Sequence, residues 1–450
     1  MNTRCCLKSV NTTLKAVLFC LLLASVLATA REPRNSSAET LIIIAKALND
    51  SVRVPESLGV PGPQQNLQQI VAQAPDSSVI LIEGLHRLKP QAYVDESCGN
   101  CEIPATRVDA SVGLIVSGKA KRIVGISPYK SAIHTNSGYG ILFENCQDCS
   151  IESLTITDGA RDPDGNATDA AVVVKNSSVL VAYNLIINNV GDSTIVKRTI
   201  VGIMGITGRE GSDITIRRNE IFRNSWDGIA LYRDAHAVIE QNFIDGIDLA
   251  RGERIGGGRG VGIGLTWNAK ALVRGNLVRR YWKGIGIFVD AEALVFENVI
   301  ENIATWGISL WDADKGTPCG RIMRNVIFRT GSCGAAIESG ACAVSDTSFF
   351  QDTGSFVENI LVSTGQNPKY DSGEPYCFQR ALAVHKKPAT FLIAENLFFA
   401  NRESGDKTGS QDVSKSEFLA RIDEIEPILG RTPLKLCSEF FDWLDSIKKN

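Results

Sequence analysis

Residues 271–310 read ALVRGNLVRR YWKGIGIFVD AEALVFENVI ENIATWGISL. Two phrases alternate in this stretch. ALVRGNLV at 271–278 and ALVFENVI at 293–300 are short apolar strands that end in Asn and an apolar pair. GIGIF at 284–288 and GISLW at 307–311 are strands opened by glycine. Working outward, the first phrase returns as AVIEQNFI at 237–244, and the second as GIALY at 228–232 and GIGLT at 262–266. The asparagines fall at Asn219, Asn242, Asn276, Asn298, Asn325, Asn359 and Asn396, and the glycines at Gly228, Gly262, Gly284 and Gly307. Each unit is therefore a coil of roughly 22 to 35 residues, too short to enclose a core, so it must stack on its neighbours.

The strands are only four or five residues long, rich in Ile, Val, Leu and Phe, with Gly, Asn and Asp at the corners. The same phrase returns in the same direction with no room for a crossover helix, which predicts parallel, in-register pairing between copies. A helical solenoid is excluded, since no unit holds ten uninterrupted residues of helical period. The Leu spacing of leucine-rich repeats is absent as well. Ahead of the repeats, NLQQIVAQAPDSSVILIEGLHRL at 66–88 puts Leu67, Ile70 and Val71 on one helical face and follows with a strand over 78–83. Behind them, SEFLARIDEIEPIL at 416–429 and SEFFDWLDSIKK at 438–449 read as amphipathic helices, with Ser416 and Ser438 as candidate N-caps.

With its cap-helix entry, Asn-x-Ile corner and Gly-Ile-x-Leu strand, the chain resembles the right-handed parallel β-helix family over residues 66–400. That is the architecture of pectate lyases, polygalacturonases, alginate epimerases and NosD-like periplasmic proteins. The resemblance implies an all-β fold, a single-stranded right-handed parallel β-helix solenoid with an N-terminal capping helix and a short C-terminal helical cap. It specifies architecture well and chemistry hardly at all.

Four segments are expected: a signal peptide at 1–30, a polar segment at 31–65, the solenoid at 66–400, and a linker with the helical cap at 401–450. The first comprises Arg4, Lys8 and Lys15, an apolar run from Ala16 to Leu27, and Ala28-Thr29-Ala30 as a small-residue cleavage site. The run is short for a bilayer span, so secretion or a periplasmic location is expected, without a stable membrane span. Of 47 basic residues, three lie before position 31, which leaves 44 against 50 acidic ones and a net charge near −6. That balance argues against nucleic acid as a partner. A monomer that engages a polysaccharide or other glycan is expected instead. Nine cysteines lie beyond residue 30. Two Cys-x-x-Cys pairs stand out, SCGNC (Cys98, Cys101) and NCQDC (Cys146, Cys149); in an exported chain disulfides are expected, with their pairing open and an odd total leaving at least one thiol unpaired, and buried free thiols and a four-thiolate zinc site are the alternatives.

The repeated asparagines are read as a hydrogen-bonding ladder and the repeated glycines as corner residues, not as a catalytic row. Strand alternation turns Ile229, Leu231, Ile263, Leu265, Ile285, Ile287, Ile308 and Leu310 inward. Outward lie a row of small residues, Ala230, Gly264, Gly286 and Ser309, and a row holding Tyr232, Thr266, Phe288 and Trp311. The aromatics offer faces on which sugar rings stack. Trp226, Trp282, Phe288 and Trp311 are the candidate substrate-binding residues.

Function is sought where the period breaks. From Asn to the next glycine the spacing is 8 or 9 residues in regular coils, but 20 from Asn242 to Gly262. The excess is DLARGERIGGGRG at 248–260; comparable insertions are DGARDPDGNATD at 158–169 and GDSTIVKRTI at 191–200. All three occupy one corner, just before the glycine-opened strand, and should stack into a wall beside the outward rows. Lyase or epimerase chemistry on a uronate needs a base for the proton next to the carboxylate and a cation to neutralise that carboxylate. Asp227, Lys283, Arg254, Arg259, Tyr232 and Arg233 are the candidate catalytic residues. In this reading Lys283 or an Arg acts as base or neutraliser, Tyr232 donates the proton, and Asp227 orients them or binds a cation.

No cofactor fingerprint is present. Asp162, Asp164 and Asn166 alternate like a Ca2+ loop, without its glycine and distant Glu. A hydrolase needs two carboxylates across one bond, for which Asp227 with Asp234, Asp248 or Asp312 is the available set. A NosD-like, non-catalytic binding protein is the other alternative.

Overall fold

The computed structural model describes residues 42–46, 67–246, 260–338, 354–368, 379–405, 409–429 and 438–449. The signal segment, most of the polar segment 31–65, and Arg254, Arg259 and Asp248 lie outside the described residues. Three strands make a coil. Met204–Arg209 is the glycine-phrase strand of the first face, Asp213–Arg217 belongs to the second and Glu220–Phe222 to the third. The next coil repeats them as Ile229–Leu231, His236–Glu240 and Phe243–Asp245. The first face is an 11-stranded sheet; the other two join in a 23-stranded one. They join because the strand Val79–Arg87 bends through a corner and pairs on both faces.

Pairing is parallel and in the predicted register. Ile206, Ile229, Ile263, Ile285 and Ile308 stack on the first face, and Ile216, Ile239, Val273, Val295 and Ile322 on the second. All ten are fully buried. Each such side chain stabilises the fold by roughly 1.5–3 kcal/mol, and β-branched residues suit a pleated interior. The entry helix α1, Leu67–Gln73, buries Leu67 and Val71 over the first coil, as the helical face predicted.

The asparagine ladder is present. Asn276 donates its backbone N–H to Asn298 Oδ1 at 2.9 Å and its amide to Asn298 Oδ1 and Ile239 O, while Asn242 donates to it in the same way. The pattern runs unbroken from Asn184 to Asn396. The residue before each of these asparagines sits in the left-handed region, and in the ladder from 184 to 396 only Gly275 is a glycine. Residues such as Tyr183, Arg218 and Glu297 hold that conformation because the amides lock the corner around them. Asn276→Ala removes the acceptor of the Asn242 backbone N–H and of one of its amide hydrogens, and the side-chain donor to the Ile239 carbonyl, in a dry corner. It is expected to cost about 2–4 kcal/mol, read as a lower thermal midpoint. A change below about 0.5 kcal/mol would show that the ladder is ornamental.

Two additions cover the solenoid. The strand Gln91–Asp95 pairs antiparallel with Val108–Lys119, and the loop between them, closed by the Cys98–Cys101 disulfide, folds across the outside of the first face. The second Cys-x-x-Cys pair departs from the disulfide expectation. Cys146 and Cys149 are free and buried, their thiols donating to Val116 O and Gly118 O. Cys333 is buried, and Cys319 is disulfide-bonded.

The C-terminal helices are present, and their apolar faces lie along the outside of the third face. Helix α3, Lys415–Leu429, and helix α4, Glu439–Lys449, bring Phe418, Ile422, Phe440, Phe441 and Leu444 onto outward-facing Phe243, Leu277, Val299, Phe328 and Val362. Ser414 caps α3 in place of Ser416: its hydroxyl accepts from Glu417 N–H and Glu417 answers to Ser414 N–H, a capping box. At α4 the first N–H groups go to Glu301 of the solenoid, to which Ser438 also donates. A buried carboxylate at a helix N-terminus meets both the dipole and the orphan donors. Among the described residues no helix is long and apolar enough to cross a membrane.

Candidate functional site

The three insertions occupy one corner, between third-face and first-face strands. The first lies between Thr155–Thr157 and Ala170–Lys175, the second between Leu185–Ile187 and Met204–Arg209, the third between Phe243–Asp245 and Val261–Leu265. The first two touch: Arg161 Nε donates to Val201 O at 2.8 Å, and Gly159 N–H to Asn189 Oδ1 at 2.9 Å. Helix α2, Ser193–Thr199, is folded within the second, N-capped by Asp192. The wall predicted from spacing is therefore real over its first two courses.

Asp162 and Asp164 act as clamps in this wall. Asp162 accepts from the backbone and hydroxyl of Ser111, and Asp164 from the backbones of Asp109 and Asn166. The Asn166 carbonyl oxygen lies 3.4 Å from Sγ of Cys98, a member of the Cys98–Cys101 disulfide. Among the described residues no group of three or more His, Cys, Asp or Glu gathers as a cation cage.

The disulfide loop roofs the early part of the first face. Beneath it Arg209 is fully buried and reaches Asp95 Oδ2 at 2.9 Å, Thr168 Oγ1 at 2.7 Å, Ser97 O at 2.6 Å and the Glu210 carboxylate. Tyr139 and Lys175 also bond to Asp95, which has no exposed side-chain surface. Burial works against the Asp95 charge, but Arg209 and Lys175 outweigh it and hold the carboxyl below its ordinary range. Tyr232 lies in this roofed region, 4% exposed, against Gly99, with its hydroxyl directed at Met204 Sδ. Burial pushes its phenol well above the usual range. The structure thus places Tyr232 with the roof, apart from the open groove.

The column of small outward residues continues at Gly264, which is itself buried. Beside it stands Asp227, 6% exposed, whose Oδ1 accepts Val261 N–H at 2.6 Å while Oδ2 borders the hollow over Gly264. Gly260 passes so close to this carboxylate that a side chain there would overlap it. Burial pushes the Asp227 carboxyl up to about 7, against the opposing pull of Val261 N–H and Lys283. Two coils on in the same column, Lys283 holds its ammonium 4.5 Å from the Trp306 ring centre, 4.9 Å from Trp311 and 5.0 Å from Phe288. The rings meet edge to face, Phe288 with Trp311 and Trp306 with Trp311. Phe288 lies down over Gly286, where any side chain would strike it. The aromatics expected to stand as separate platforms instead form one cage around a cation.

The remaining candidates divide by location. Trp226 is half-buried at the edge of the roof with its indole near Gly260, and half-buried Trp282 sits at the corner before Lys283. Arg233, Asp234 and Asp312 lie at the opposite edge of the first face from Asp227, where its strands lead into the second. Trp306 was not among the residues singled out from sequence. It precedes Gly307 as Lys283 precedes Gly284, so extending that column by one coil finds it.

This arrangement defines a parallel β-solenoid whose first face carries a column of small outward residues, Gly264, Gly286 and Ser309, beside Asp227 and Lys283. A sequence model of the right handed beta helix region matches residues 93–258 and 205–367, and the chain belongs to the right-handed β-helix family. No curated protein sequence matches the chain. Among solved structures, a tailspike protein of E. coli bacteriophage HK620 in complex with a pentasaccharide is similar at 11% identity, TM-score 0.47, over 84% of this chain and 66% of its own. The chain thus spans just under two thirds of that tailspike. The pectate lyase Pel9A is similar at 11% identity and TM-score 0.39, over 84% of this chain and 80% of its own. The A-module of the Azotobacter vinelandii mannuronan C-5 epimerase AlgE6 is similar at 10% identity and TM-score 0.38, over 76% and 92%.

Proposed function

We propose that the chain lays an acidic polysaccharide along the floor that starts at Gly264 and acts on it by removing the proton beside a uronate carboxylate, as a lyase or epimerase. The observation that carries this reading is the pairing of Asp227, a buried carboxyl with its pKa near 7, with the Lys283 cation in the same column. Stacked coils are about 4.8 Å apart, so two coils set these groups about 9.6 Å apart at the backbone, within reach of one sugar unit from both sides. Asp227 Oδ2 takes the proton from the carbon next to the carboxylate, and Lys283 neutralises the charge that develops there. The electron pair then expels the glycosidic oxygen, which takes a proton from water, in a lyase, or takes a proton from water on the other face in an epimerase, and Asp227 later returns its proton to solvent. The expected signal segment and the Cys98–Cys101 disulfide support export to an oxidising compartment.

The second reading is binding without turnover, favoured by the three rings already around the Lys283 ammonium. The test incubates the mature protein with polygalacturonate, alginate and glycosaminoglycans, following unsaturated-uronate absorbance and, in D2O, exchange of the ring proton. Lys283→Met is expected to lower kcat/KM by about 10²-fold or more. Binding with no product on any polymer would establish the second reading, and no binding at all would overturn both.

A further inference from the structure

At the opposite edge of the first face, under the disulfide loop, lies a cleft of about 440 Å³ that the groove does not use. Ser97 and Pro104 of the loop form one side, and Glu210, Arg233, Trp267 and Asp290 contribute to the other. Arg233 leaves its strand in a left-handed conformation, φ 48°, and rests its guanidinium 4.6 Å from the Trp267 ring centre. There Arg233 Nε and Nη2 and the Trp267 indole N–H are buried with no acceptor among the described residues. Buried donors are nearly always satisfied, and Nε with Nη2 is the two-donor edge of a guanidinium. These three N–H groups lack oxygens that a ligand would bring.

Charge selects the ligand. Glu210, Asp234 and Asp290 outnumber the Arg233 guanidinium in the lining; Arg209 pairs with Glu210, and the Lys315 ammonium, 5.8 Å from the Trp267 ring centre, is itself bound to Glu102, so the balance still disfavours a free anion. Asp290 Oδ1 is engaged by Asn268 N–H and Glu210 by Arg209, which leaves carboxylate capacity on both for further donors. A group that accepts from N–H and donates to carboxylates through adjacent atoms is a vicinal diol. The volume lies within the range of small-ligand clefts. We infer that this cleft binds a neutral sugar residue, its adjacent hydroxyls bridging Arg233 and Trp267 to Asp290 and Glu210. The inference does not depend on the chemistry of the groove.

The test titrates the full chain, by calorimetry and ligand-detected NMR, with the methyl glycosides of glucose, galactose and mannose and with the three matching uronates. In Lys283→Met, whose groove has lost its cation, at least one neutral glycoside is expected to bind at least about tenfold more tightly than its uronate. Arg233→Lys keeps the cation over Trp267 but loses the two-donor edge, and should weaken that glycoside about tenfold. Asp290→Asn keeps the acceptor for Asn268, removes one negative charge and should narrow the neutral-over-uronate preference. Lys283→Met, in the groove, should leave the glycoside affinity in place. Uronates that bind Lys283→Met as well as the neutral sugars do, binding indifferent to Arg233→Lys, or no binding of any glycoside would each overturn the inference.

Discussion

Arg209→Met is expected to destabilise the protein by about 3–5 kcal/mol, because it removes the buried cation paired with the buried Asp95 carboxylate and leaves Lys175 alone to offset that charge. Asp95 and Arg209 have no exposed side-chain surface, and the guanidinium also joins Thr168, Tyr139 and the Ser97 carbonyl. Through these bonds one side chain of the solenoid ties down both the disulfide loop and the end of the first insertion. Methionine fills the volume and satisfies none of them. Denaturant unfolding should record the loss, and hydrogen exchange over residues 96–107 should rise together with it. The double variant Arg209→Met with Asp95→Leu should recover part of the stability, since the orphaned charge is gone. A single-variant loss below about 1 kcal/mol, with the loop still protected, would show that the roof is held by its apolar contacts alone.

Asp227→Asn should reduce turnover on a responsive polymer by about 10²- to 10⁴-fold, the range a positioned general base supplies. Asparagine keeps an oxygen for Val261 N–H, so the corner is retained and the proton acceptor is lost. The wild-type rate should rise with pH through about 7, because the base is the deprotonated form, and that limb should vanish in the variant. Stability moves in the other direction. The folded carboxyl keeps its proton up to about 7, whereas an ordinary aspartate releases it near 3.8, so between those values unfolding releases a proton. The protein should therefore lose stability as pH rises through that window, and Asp227→Asn should lose less. A variant with unchanged turnover or an unchanged pH limb would remove Asp227 from the mechanism.

Much of the site is periodic, and periodic features can be read from spacing. The column through Asp227, Val261 and Lys283 follows from counting back one residue from each glycine, and the wall follows from three insertions at one corner. Tyr232 shows where counting stops. Its strand position turns it outward as predicted, yet Gly99, far away in the chain, closes over it. The lining of Arg233 was equally hidden: Ser97 and Pro104 reach it only because the disulfide loop lands on that edge. The helices illustrate the same limit, since outward-facing Phe243 and Phe328 on the third face demanded a cover whose place no local pattern stated.

By itself the sequence determined the coil, its parallel register, the inward isoleucines, the asparagine ladder and the corner that carries the insertions. Each is set by contacts between equivalent residues of adjacent coils, which recur at the repeat spacing. Only the tertiary structure decided which part of the outward face remains open. Arg209 meets Ser97 across 112 positions and Lys315 meets Glu102 across 213, and such aperiodic contacts leave no spacing to count. The roof they anchor encloses Tyr232, and farther along the same face Lys283 gathers with Trp306, Trp311 and Phe288.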